Sequence, residues 1–153
     1  MERPQWEING TRVSTTIDQA RAELSARCNA IEECYEYMLA YAAQGLPSDQ
    51  GSGAGAQVRD HLHKCDAALV DLSGFLLRFV EHLGLPSTEA YHGFIAVLDR
   101  DASDSRAAVH LVLAQPTISS QLIDNLNASI HLRALLTDLF LIDEILKTHG
   151  RRA

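Results

Sequence analysis

Residues 57–83 read QVRDHLHKCDAALVDLSGFLLRFVEHL, and this stretch decides the fold class. Its apolar residues fall at Val58, Leu62, Cys65, Leu69, Leu72, Leu76, Phe79 and Leu83, alternating steps of four and three. That spacing holds one stripe on one face of a helix, and such a stripe is buried only against other helices. The expectation is a single long helix over 57–83 in an all-α protein.

The flanking sequence repeats the signal. Thr16, with Gln19 three residues on, predicts the start of a first helix through a capping box. Its stripe is Ile17, Leu24, Cys28, Ile31, Tyr35, Met38 and Ala42, and Gly45 before Pro47 ends it. Ser87 as N-cap and Glu89 in the first turn predict a third helix, with Tyr91, Ile95, Leu98, Ala102, Val109 and Val112 on its apolar face. The polar stretch 99–105 predicts a kink or break there. Pro116 and Thr117 open a fourth helical pattern that runs to about Thr148. Four spans with short connections predict an up-down-up-down four-helix bundle over 1–153, a single domain.

Two segments fall outside the helical pattern. Residues 6–13 read WEINGTRV, an alternating pattern around Asn-Gly, which predicts a β-hairpin or arm within 1–14. In that register Glu7 faces Arg12 and Trp6 faces Val13. Residues 45–56 are rich in Gly and Ser and predict a flexible loop. No strand precedes those glycines and no Lys-Ser/Thr pair follows them, so they do not form a phosphate-binding loop. Gly74, inside the second helix, costs about 1 kcal/mol relative to Ala and predicts close approach of a neighbouring helix or ring.

Composition narrows the partners. Twenty acidic against 13 basic residues give a formal charge of −7, which argues against nucleic acid and against polybasic attachment to a membrane. No apolar run approaches the roughly 20 residues of a membrane span. Residues 1–13 contain Glu2, Glu7 and Arg12 where a secretory signal needs an apolar core. Three cysteines on helical patterns, Cys28, Cys34 and Cys65, predict free thiols and a cytoplasmic setting.

The candidate sites follow from helical phase. If the first two helices pack antiparallel, Cys65 comes level with Glu36 and close to Cys34, and His61 lies one turn from Cys65. Cys34, Glu36, His61 and Cys65 are then a candidate set for Zn or Cu, the alternative to a protein without a cofactor. Glu89-x-x-His92 and Asp60-x-x-His63 resemble half-motifs of the ferritin-like carboxylate proteins, but they open helices at opposite ends of a bundle, roughly 30–40 Å apart at 1.5 Å per residue. That resemblance is architectural and assigns no iron ligands. Glu32 and Glu33, with Tyr37 and Tyr41 at i, i+4, form a candidate face for a protein partner. The fourth helix is apolar nearly all round from Leu132 to Leu146, more than one core buries. Leu132, Leu135, Leu139 and Leu146 share a side and are the candidate homodimer contact. The sequence reading is a non-catalytic, self-associating adaptor, assembly or regulatory factor.

Overall fold

Backbone hydrogen bonding in the computed structural model is helical in every regular element among the described residues, 5–51 and 53–149, with side chains described from Thr16 onward. Six helices follow in order: α1 (Gln5–Ala43), α2 (Gly53–Leu69), α3 (Leu72–Leu83), α4 (Thr88–Leu113), α5 (Ser120–Ala128) and α6 (Ile130–Thr148). The all-α expectation holds. The expected hairpin over 6–13 is not found, because α1 is already helical from Gln5; its proposed side-chain pairings lie outside the described residues.

From Leu24 onward α1 buries Leu24, Cys28, Ile31, Cys34, Met38 and Tyr41. The sequence stripe placed Tyr35 and Ala42 there, but both are only half-buried. Cys34 and Tyr41 take the core positions instead, the buried line stepping three residues from Ile31 to Cys34, four to Met38 and three to Tyr41. The helix ends at Gly45, whose φ of 65° is the left-handed conformation that glycine adopts without a Cβ penalty.

The stretch 57–83 is two helices, not one. The chain breaks at Val70 and Asp71, and Asp71 takes φ 51° and ψ 32°. Aspartate tolerates this left-handed geometry better than most side chains. Leu69 and Leu72 stay buried on either side, so the core stripe runs through the break undisturbed. The C-terminal carbonyls freed there are taken by α1: Arg27 Nη1 donates to Ala68 O at 2.9 Å and Val70 O at 2.7 Å. The same guanidinium lies 5.2 Å from the Phe75 ring centroid. Gly74 also belongs to this break. A Cβ there would stand 2.2 Å from Asp71 Oδ1, so the close neighbour is the Asp71 side chain and not another helix.

The polar stretch 99–105 does not break α4, which is continuous from Thr88 to Leu113. Its polar residues reach neighbouring helices instead: Asp99 accepts from Ser73 Oγ at 2.8 Å, and Asp104 lies 3.8 Å from His131. Ala102 and Ser105 face the core. Ser87 stands at the N-cap, but with φ 62° and no side-chain capping bond. The last span, expected as one helix, is interrupted at Ser129, which is extended at φ −63° and ψ 138°. Asn125, Asn127 and Ser129 are weak helix formers, and the interruption falls among them.

Neighbouring spans run antiparallel. Along α1, Tyr37 meets His61 and Arg27 meets Val70. Asp66 of α2 meets Arg106 of α4, while Ser73 of α3 meets Asp99. Toward the other end of α4, Tyr91 reaches His149, just beyond α6. Tyr41 meets Ile118 ahead of α5, and Arg21 meets Leu146 of α6.

Candidate functional site

Three sulfur atoms come together in the α1–α2 seam. Cys34 and Met38 lie one turn apart on α1, so their side chains share a face. Cys65 reaches Cys34 from α2. All three residues are about 1% exposed. The Cys34 thiol donates to Met38 Sδ at 3.8 Å. A hydrogen-bonding contact with Cys65, together with burial, pushes the Cys34 thiol far above its ordinary range. The same contact lowers the Cys65 thiol against the opposing effect of burial. Cys28 is separate: burial, Asp143 and Glu32 push it up to about 11, the state of an unreactive buried thiol.

The structure brings together half of the candidate metal set. Cys34 and Cys65 meet, but Glu36 is exposed, two residues from Cys34 and therefore on another side of α1. His61 stacks on Tyr37, with centroids 4.2 Å apart and planes inclined by 21°. Tyr37 in turn donates its hydroxyl to Ala54 O. Among the described residues, no three of His, Cys, Asp or Glu gather as metal ligands. Met38 was missed as a member of this cluster. Its signal was its i+4 spacing from Cys34, read only as a core position. The half-motif residues Asp60, His63, Glu89 and His92 are all exposed.

Two further candidate faces change composition. Tyr41 is fully buried and donates to Ile118 O at 2.6 Å, which makes it core rather than partner surface. Tyr37 is half-buried under His61, and Glu32 is half-buried too; Glu33 is exposed. Leu132, Leu135, Leu139 and Leu146, expected on a homodimer contact, are buried in the chain's own core. They pack there because α6 adjoins both α1 and α4. The apolar residues that α6 leaves exposed are Ile130, Phe140, Leu141 and Ile145.

Polar side chains tie the loops at one end of the molecule. Asp49, from the loop expected to be flexible, accepts from the Ile118 backbone N–H at 2.8 Å and from Arg59 Nε at 2.7 Å. Burial pushes Asp49 up, but those two donors outweigh it and hold the carboxyl below its usual range. The remaining Arg59 nitrogens donate to Leu113 O at 3.0 Å and Gln115 O at 2.8 Å. At Gly55 a Cβ would meet Asp49 O at 1.9 Å, so the glycine permits the close approach. The residues around Asp49 are thus docked to the α4–α5 connection.

A different polar pair crosses from α4 to α6. Asp138 lies against Asp101, and burial with that second carboxyl raises Asp138 to about 7. Its Oδ2 is buried without a hydrogen-bond partner. One proton shared between the two carboxyls accounts for their closeness.

No protein-family model matches the chain, and comparison with curated proteins and with solved structures finds no match either. Among the described residues, no helix is long and apolar enough to cross a membrane.

Proposed function

We propose that this chain is a non-catalytic helical bundle that self-associates, as a homodimer, and serves as an adaptor, assembly or regulatory factor for a protein partner in the cytoplasm. On this reading the six helices act as four spans in up-down-up-down order, the second and fourth interrupted, in line with the antiparallel contacts between neighbours.

The observation that carries the reading is the outer side of α6. Phe140, Leu141 and Ile145 are 54%, 51% and 37% exposed, beside a seam already filled by Leu135, Leu139 and Leu146. Leu141 and Ile145 are one turn apart and share a face, with Phe140 at its edge. Apolar surface left in water forgoes about 25 cal/mol per Å², and a twofold contact buries the same residues on both copies at once. The −7 charge, with Glu33 and Glu36 exposed on α1, favours a basic protein surface over a nucleic acid as the further partner.

Light scattering at micromolar concentration tests self-association. The unmodified protein should have twice the mass of the chain. A Leu141→Glu, Ile145→Glu variant should have the mass of one chain and keep its helical circular dichroism, since neither residue is core. A monomeric unmodified protein overturns the reading.

A further inference from the structure

We propose that Cys34, Met38 and Cys65 form a three-sulfur binding site for Cu(I) in the α1–α2 seam. Nothing in this depends on the outer face of α6, and its test is separate from that of self-association.

Ligand chemistry selects the cation. Thiolate and thioether sulfur are soft donors, the kind that prefers Cu(I) among the biological first-row metals. Zinc takes thiolates too, but asks for four ligands in a tetrahedron. The two side chains that could complete such a set are turned to other uses: Glu36 is exposed, and His61 is stacked on Tyr37. A trigonal site needs only the three sulfurs.

Spacing agrees. Metal–sulfur bonds of about 2.3 Å directed to the corners of a triangle separate the sulfurs by roughly 4 Å. Cys34 Sγ and Met38 Sδ stand 3.8 Å apart before any cation enters, and the Cys65 thiol is in hydrogen-bonding contact with Cys34. The Met38 thioether swings on three rotatable bonds, the freedom with which it would close the third side. All three sulfurs belong to helices that pack on one another, which is the rigid support a preformed site requires.

The protonation balance is explicit. Both thiols ionise on binding: Cu(I) replaces two protons, two Cu–S(thiolate) bonds form, and the thioether donates a lone pair without losing a proton. No electron is transferred. The cation competes with both thiol protons for sulfur. Affinity therefore rises with pH. Because the sulfurs are buried, the cation enters as α1 and α2 part locally.

The test uses the full chain, fully reduced and free of oxygen, titrated with Cu(I) presented as its bicinchoninate complex. The unmodified protein should withdraw one equivalent per chain, and X-ray absorption of the product should show three sulfur scatterers. Cys34→Ala and Cys65→Ala should each abolish stoichiometric binding, Met38→Leu should weaken it at least tenfold, and Cys28→Ala should leave it unchanged. Met38→Leu conserves volume and keeps the core packed, and the absorption spectrum needs no variant at all. Failure to withdraw copper, a first shell dominated by nitrogen or oxygen, unchanged affinity in Met38→Leu, or equally tight binding of Zn(II) overturns the proposal.

Discussion

Two stretches whose apolar pattern predicts one continuous helix are each interrupted, and the two interruptions are built differently. At Val70 and Asp71 the backbone turns through one left-handed residue, and Arg27 of α1 collects the carbonyls of Ala68 and Val70. At Ser129 the backbone goes extended, with the Ser129 N–H donating to Asn125 O and Leu126 O at 3.2 Å each. No side chain caps α6 there, and the Ser129 hydroxyl is buried without a partner. The first break is supported from outside its own span by a cation; the second is closed by local backbone bonds alone. The difference also shows in what each helix carries onward. α3 continues a purely apolar stripe, whereas α6 brings Asp138 against Asp101 of α4.

Removing the support of the first break should have the largest effect. Arg27→Ala strands two carbonyls and loses the contact with Phe75, and should destabilise the fold by roughly 2–3 kcal/mol, the range for hydrogen bonds from a charged group. Arg27→Lys should recover only part, because one ammonium does not reproduce the planar fork. A urea melt showing less than half a kcal/mol of loss in Arg27→Ala would mean that the carbonyls are as well served by water.

The second span should respond to pH instead. Asp138 is raised in the folded chain to about 7, from an unfolded value of 3.8, so the folded state binds the extra proton. Stability from this group is complete below about pH 4 and declines as pH rises toward 7. Asp49 and Asp66 act with the opposite sign: both are held below the usual range, and their contribution is lost only as pH falls below about 4. The window between 4 and 7 therefore reports Asp138. Asp138→Asn can donate to Asp101 without a charge, and should gain on the order of 2 kcal/mol at pH 7 relative to the unmodified protein, with little gain at pH 4. Equal gains at both pH values would show that the pair does not share a proton.

The smallest effect sharpens the contrast within the breaks themselves. Helix propensity alone has Gly74→Ala stabilise α3 by about 1 kcal/mol. The exposed Asp71 carboxylate over the first turn must swing aside to admit the methyl, so the variant should gain less than that. Asp71→Gly in the same chain should restore the full gain, since glycine keeps the left-handed turn and removes the obstructing carboxylate. At the other break, Ser129→Ala should be neutral to slightly stabilising because the hydroxyl has no partner to lose. Thermal melts of the three variants distinguish these outcomes.

The candidate sites were legible in proportion to how local their geometry is. Cys34 beside Cys65 followed from antiparallel packing of two stripes, and both thiols do meet. His61 shares a face with Cys65 by spacing, yet its ring is claimed by Tyr37, an across-helix contact that spacing along one helix does not contain. The exchange of Leu132, Leu135, Leu139 and Leu146 for Phe140, Leu141 and Ile145 on the outer face has a similar origin. A helix apolar all round does not announce which side its own chain covers.

By itself, the sequence determined the helical class, the buried stripes of the 57–83 segment and α4, and the stops at Gly45 and Gly84, because periodicity and backbone preference act over a single turn. Tertiary structure decided where the spans break and which polar groups face one another. Asp71 and Ser129 each leave the apolar periodicity around them intact, so the apolar pattern does not mark them. The carbonyls of Ala68 and Val70 at the first break are held by Arg27, more than 40 positions earlier in the chain. The polar stretch 99–105 stays helical because Ser73, His131 and Asp138, from three separate places, receive its side chains. Such choices rest on groups distant in sequence and adjacent only after the helices have packed.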